Sequence, residues 1–292
     1  MAAAMGQPNP FLQIYETQPF PRHIKATPYT MPTDNTAPYI GNIVFLRYIC
    51  PQIHYGMSKY FIYAFAAFAM ISCSDYITPD GEIVDCDMEI PAAADGIEIT
   101  DGMKLVLDDD IPAGTAVIRT HFNIQQHIKA ETAGDKIVFT VDARRFKDLD
   151  VTITTSPASY HDFTASGGSE IYSPEAVTAT TAAFTLSGGS RATLSASCGT
   201  ATVNCSGGSE LPLNGSCDRA DIVCSGGSRC YAYGFDTAAA TVDISGGSAL
   251  EITVSESLTG DNSGGSHIRY KGTPAHLNVN NNGGSTTSAV AE

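Results

Sequence analysis

Asp221-Ile222-Val223-Cys224 leads into Ser225-Gly226-Gly227-Ser228, and Arg229-Cys230-Tyr231-Ala232 leads out of it. On each side of the glycines, apolar residues recur at every second position, the period of a strand with one buried face. The same arrangement returns along the chain. Ser-Gly-Gly-Ser begins at Ser166, Ser187, Ser206, Ser225, Ser245 and Ser263, and a seventh copy reads Asn282-Gly283-Gly284-Ser285. The intervals are 21, 19, 19, 20, 18 and 19 residues. The flanks repeat too, with Phe184 and Leu186, Val203 and Cys205, or Val242 and Ile244 before the motif, and Ala192 and Leu194, Leu211 and Leu213, or Leu250 and Ile252 after it.

A strand–corner–strand unit of this length cannot close a core alone, but stacked copies can. Equivalent strands then pair in parallel about 4.8 Å apart, and each ladder of equivalent residues becomes a wall of the core. The spacing therefore predicts an all-β parallel β-helix, a β-solenoid with repeats of about 19 residues and Ser-Gly-Gly-Ser corners. The corner glycines are Gly167 and Gly168, Gly188 and Gly189, Gly207 and Gly208, Gly226 and Gly227, Gly246 and Gly247, Gly264 and Gly265, and Gly283 and Gly284. A corner needs positive φ or a close backbone approach, which a Cβ hinders. The flanking serines can hydrogen-bond turn amides or their counterparts one coil away. The sixth and seventh corners place Asn262 and Asn281 where an apolar residue is expected, which predicts C-terminal coils that are looser or open to solvent.

Composition narrows the function. Sixteen basic residues against 31 acidic give a net charge of −15, which argues against nucleic acid as a partner. From Met57 the chain reads like an export signal: Lys59, an apolar run from Phe61 to Ile71, then Ser72-Cys73. The run is too short for an ordinary membrane span. A Cys after Ser72 resembles a bacterial lipobox, in which Cys73 is acylated and becomes the mature N-terminus, a lipid anchor to a membrane; Met70 stands where Leu is usual. Residues 1–56 carry eight of the fifteen prolines and no sustained periodicity. They read as an upstream segment preceding a start at Met57, or as a disordered extension. The expected order is 57–72 signal, 73–89 linker and 90–292 solenoid, with irregular first coils and a cap over 90–160 and regular repeats over 161–287.

Within 90–160, Gly96–Ile99, Met103–Leu107, Lys136–Val141 and Asp150–Thr154 read as strands. Gly96-Ile97-Glu98-Ile99-Thr100-Asp101-Gly102-Met103-Lys104-Leu105-Val106-Leu107, the segment Asp135–Phe139 and the Ser-Gly-Gly-Ser ladder together resemble the bacterial family called putative auto-transporter adhesin, head GIN domain. The resemblance spans roughly 90 to 287. It implies an exported parallel β-helix of Bacteroides-like bacteria, held in the cell envelope at the outer membrane, with an adhesin role.

Few residues suggest chemistry. Cys198 and Cys217 lie eight residues before their motifs, and Cys205 and Cys224 one before, so each pair shares a phase on adjacent coils. They form either two ladders of small buried residues or two disulfides, which export would permit. No Cys-x2-Cys pair suggests zinc, and no catalytic motif, metal site or cofactor is expected. Asp108-Asp109-Asp110 reads as a solvated loop, with a cation site as the alternative. Asp218 and Asp221 are the nearest carboxylate pair, but on a regular strand they would point to opposite faces. Asp236-Thr237-Ala238 resembles a short O-glycosylation motif. These readings favour a non-catalytic binding module for a glycan or protein ligand at the cell surface. A structural envelope scaffold, self-associating as a homo-oligomer through the solenoid end, is the alternative. A polysaccharide-active enzyme, which needs paired carboxylates on one face, ranks behind both.

Overall fold

The structure is a computed structural model and describes residues 76–142, 146–157 and 160–291. The upstream segment 1–56, the signal 57–72 and Cys73 lie outside the described residues. The chain forms a parallel β-solenoid of about 7 turns with a repeat of roughly 19 residues.

The regular coils follow from the repeat. Strands β8 (Asp162–Ala165), β9 (Glu170–Leu186), β10 (Arg191–Cys205), β11 (Glu210–Cys224), β12 (Arg229–Ile244) and β13 (Ala249–Asn262) run between successive corners. They continue into β14 (His267–Lys271), β15 (His276–Asn281) and β16 (Thr286–Ala289). All these strands pair in parallel, with Val203 opposite Phe184 and Ile222, and Ile222 in turn opposite Val242. Each coil has an arm entering its corner, an arm leaving it, and a bend that returns the chain. The inward residues Phe163, Phe184, Val203, Ile222 and Val242 form one wall of the core and Ala192, Leu211, Cys230, Leu250 and Ile268 another, all at most 2% exposed. Phe163 and Phe184 stack with ring centroids 6.0 Å apart. Burying such rings is worth about 1.5–3 kcal/mol each.

Every corner is a tight turn. At the second, the Ser190 amide donates to the Ser187 carbonyl at 3.2 Å, and Gly188 and Gly189 have φ of 62° and 76°. Two central residues at positive φ make this the I′ type of turn, which glycine favours. The two glycines differ in need. A Cβ on Gly226 would lie 3.0 Å from the Gly207 nitrogen of the preceding coil, whereas one on Gly227 would meet nothing within 4 Å. The first glycine thus serves both dihedral and close stacking, the second only dihedral. The closing serines Ser190, Ser209 and Ser228 are buried, and their hydroxyls donate to the Ala165, Leu186 and Cys205 carbonyls one coil back, at 2.9, 3.3 and 3.0 Å. These acceptors are strand carbonyls; the turn-amide and serine-to-serine bonds expected from the sequence are found beside them, from the Ser187 amide to Ser190 Oγ at 3.1 Å and from Ser228 Oγ to Ser248 Oγ at 3.5 Å.

The first coil is interrupted. Strands β2 (Gly96–Ile99) and β3 (Lys104–Leu107) stack directly on β8 and β9. Between them Thr100-Asp101-Gly102-Met103 makes the same corner, with φ of 62° at Asp101 and 77° at Gly102 and a 3.2 Å bond from the Met103 amide to the Thr100 carbonyl. The Gly102 amide donates to Ser169 Oγ at 3.1 Å, tying this corner to the next. The intervening residues build the cap: β4 (Thr115–His121), the helical turn α1 (Phe122–Gln125), β5 (Ile128–Ala133), β6 (Lys136–Val141) and β7 (Val151–Thr155). β6 and β7 add in parallel to β2 and β3, and β5 and β4 then pair with them antiparallel. Residues 73–89 are not a linker throughout: Ile83–Glu89 is strand β1, antiparallel to β4. Its exposed side includes Asp85, Asp87 and Glu89, charges that discourage further pairing.

Candidate binding faces of the solenoid

Because the register is constant, outward side chains also fall into columns. Where arms leave their corners, one column runs Lys104, Glu170, Arg191, Glu210, Arg229, alternating in sign from coil to coil. Lys104 and Glu170 approach to 3.9 Å, Glu210 receives Arg191, and Arg229 lies 3.5 Å from Glu210. These pairs are substantially exposed, so each is worth about 1 kcal/mol or less; together they fix the side-chain order. The next column carries Tyr172, Thr193, Pro212, Tyr231, Glu251 and Arg269, with Tyr172 and Tyr231 exposed.

The entering arms differ. Their outward column of Thr185, Asn204, Val223, Asp243, Asp261 and Asn280 is polar and acidic apart from the exposed Val223, and Asn280 donates to Asp261 at 3.1 Å. Asp218 and Asp221 both face solvent, contrary to the expectation of opposite faces. Alternation slips at Asp218-Arg219, where both residues are exposed, so Asp218 and Asp221, three positions apart, both lie on the outside. The acidic run at 108–110 is a turn in which the Asp110 amide donates to Asp108 Oδ1 at 3.0 Å. Among the described residues, no cluster of three or more His, Cys, Asp or Glu could hold a metal ion.

A concavity of about 470 Å³ opens beside the first coils, lined by Asp95, Asp135, Lys136, His161, Asp162 and Thr202 among others. Lys136 and Asp162 flank Gly96 in register. The Lys136 ammonium reaches over Gly96 to Asp162 Oδ1 at 2.8 Å and Thr164 Oγ1 at 2.9 Å. A Cβ on Gly96 would come within 2.9 Å of Lys136 Cγ, so the glycine clears the path for this pair. The concavity thus carries the Lys136–Asp162 ion pair, with Asp95 and Asp135 also in its lining.

The cysteines follow the predicted register, Cys198 opposite Cys217 and Cys205 opposite Cys224, and the six described cysteines are free thiols. Cys230 joins the second pair in the core. Burial, with the neighbouring Cys217 and Asp218, pushes the Cys198 thiol up to about 11. The hydrogen bond with Cys205, and then burial, raise Cys224, and burial raises Cys230. Protonated, desolvated thiols are poor nucleophiles. The glycosylation-like Thr237 is only 2% exposed and its hydroxyl donates to the Phe235 carbonyl at 3.3 Å, which corrects the reading of Asp236-Thr237-Ala238 as a surface acceptor.

One residue set escaped the sequence reading: the corner Thr100–Met103, whose Asp-Gly pair is itself a turn signal. It stands apart because the cap is inserted between it and the next corner.

Comparison with known proteins agrees with this architecture. The family model described as putative auto-transporter adhesin, head GIN domain, matches residues 94–274. A putative adhesin from Bacteroides fragilis superposes with a TM-score of 0.61 at 17% identity, covering 73% of this chain and 100% of its own. One from Parabacteroides distasonis gives 0.59 at 16%, covering 74% and 100%. A putative lipid binding protein from the same species gives 0.54 at 12%, covering 74% and 100%. At such identities the likeness is one of fold. No curated protein matches the chain.

Proposed function

The chain belongs to the putative auto-transporter adhesin, head GIN domain family, and from that premise we propose that it is a non-catalytic binding module of the cell envelope, tied to the outer membrane through Cys73. The observation that carries the reading is the division of labour in each coil. Inward positions hold the apolar ladders, while outward positions form rigid columns in fixed register, free to vary without disturbing the core. Such a surface presents many side chains to a large ligand at little cost in ordering. The anchor rests on the sequence from Met57 to Cys73, a short apolar run ending in Ser72-Cys73.

Metabolic acyl labelling, with Cys73→Ala as control, combined with protease treatment of intact cells tests this. Label that disappears in Cys73→Ala, on protein the protease reaches, is the expected result. Unlabelled protein shielded from protease would overturn the anchored, surface-displayed reading. The non-catalytic part has its own test, turnover of acidic polysaccharides with and without calcium. Measurable cleavage that Asp162→Asn abolishes would place an active site in the Lys136–Asp162 concavity and overturn it.

A further inference from the structure

The leaving arms of β12, β13 and β14 form a patch unlike the rest of the surface. In register they read Arg229 and Tyr231 beside Ala249 and Glu251, and these beside His267 and Arg269, with Thr253 beside Lys271; Tyr233 stands next to them on β12, outside the register. Three permanent cations stand on these arms against Glu251, with Glu210 of the coil before 3.5 Å from Arg229, in a chain whose net charge is −15. The entering arms of the neighbouring coils carry Asp221, Asp243 and Asp261 instead. Tyr231 is 37% exposed.

Tyr233 follows Arg229 and Tyr231 on the outward side by plain alternation, at the edge of a bulge. The pairing of β12 slips by one residue against β11 between Pro212 and Asn214, and against β13 it passes over Tyr233, Gly234 and Phe235 between Ala232 and Asp236, so Tyr233 has no partner in either register. Its ring lies under the Lys271 ammonium, 4.9 Å from the ring centroid. Arg269 approaches Glu251 at 3.6 Å and keeps most of its guanidinium side exposed. Arg229 and Arg269 sit two coils apart, about 9.6 Å along the stack.

We infer that this patch binds an anionic polysaccharide, the two tyrosine rings taking sugar faces and Arg229, Arg269 and Lys271 taking its carboxylates or sulfates. The inference rests on the binding-module reading above and names its ligand class. Guanidinium groups pair with carboxylates through two parallel hydrogen bonds, and a tyrosine offers a flat apolar ring with a polar tip. Charge complementarity singles out this face, since an anionic polymer would be repelled by the acidic columns beside it. Nucleic acid fits poorly because three cations cannot offset the surrounding charge over a phosphate backbone. A bilayer fits poorly because the patch carries no large aliphatic side chain to insert.

The test uses the full chain and measures its binding to polygalacturonate, neutral dextran and phosphatidylserine vesicles. The expected result is salt-sensitive binding to polygalacturonate only, reduced about tenfold or more by Arg229→Gln with Arg269→Gln, the loss of two charge-assisted contacts. Tyr231→Ala should also weaken it, while Arg119→Gln on β4 of the cap, the loss of an equally exposed cation, should leave it unchanged. Circular dichroism of each variant separates lost binding from lost folding. Vesicle binding without polygalacturonate binding, or binding that survives both arginine changes, would overturn the inference. Adhesion of whole cells separates the two levels: adhesion that persists in the arginine variants refutes this patch and leaves the binding-module reading standing. Cells that adhere to no surface or glycan refute that broader reading as well.

Discussion

The two ends of the solenoid are finished in different ways. At the N-terminal end the inward residues Ile97, Ile99, Leu105 and Leu107 are as apolar and as buried as any in the middle, because β6 and β7 cover them and β4 and β5 then turn the pairing antiparallel. At the other end the ladder turns polar before the described residues finish. Asn262 is fully buried beneath Ile244, and its amide donates to Asn281 Oδ1 at 2.9 Å and to the Thr286 carbonyl at 3.0 Å. Asn281 and Leu277 on the following coil are exposed. A ladder can stay apolar only where something covers it; elsewhere it tapers into hydrogen bonds. The coil of β15 and β16 is open to solvent, one of the two outcomes expected of the C-terminal coils, whereas Asn262 itself lies at full burial.

That contrast predicts unequal sensitivity to truncation. Phe139→Ala, inside the cap, should lower stability by about 3–5 kcal/mol, the cost of a large core cavity. Val279→Ala in the last coil should cost less than about 1 kcal/mol. Urea denaturation of both variants measures the difference, and equal losses would mean the ends are packed alike. A smaller effect separates the glycines of one corner in the middle coils. Gly226→Ala should cost about 2–3 kcal/mol, because strained φ adds to backbone crowding from Gly207. Gly227→Ala should cost about 1 kcal/mol from φ alone. The smallest effect tests the taper. Asn262→Leu removes the amide that ties β13 to the last coil, so amides of β15 and β16 should exchange with solvent about tenfold faster. Those of β9 to β12 should keep their protection, and faster exchange throughout would show that the coils unfold as one unit.

Much of this fold was legible before any coordinates, because a constant period carries its own evidence. The intervals between glycine pairs and the alternation around Val203, Ile222 and Val242 predict the corners, the parallel register and the inward ladders. The cap was legible only as isolated strands. Its antiparallel pairing depends on an insertion folding back past the first coil, and the linker reading of β1 overlooks Val84, Cys86 and Met88, which alternate with Asp85, Asp87 and Glu89 at the period of a strand. The binding patch was hidden for a different reason. Arg229, Tyr231, Arg269 and Lys271 converge only after coils of 20 and 18 residues are stacked in register, and Tyr233 meets Lys271 only across two coils. The Asp218–Asp221 reading failed because the alternation that a regular strand would keep slips at Asp218-Arg219.

The glycine corners make each coil an interchangeable unit of length. A whole coil added or removed between two corners preserves every ladder and moves whatever stands beyond it by about 4.8 Å along the axis. One residue added within an arm would turn its ladder inside out unless a bulge absorbed it, as at Tyr233. The patch on β12 to β14 therefore stands at a height above the cap that whole-coil duplication or deletion can adjust in even steps, like a rung count on a ladder, without redesigning either the patch or the cap.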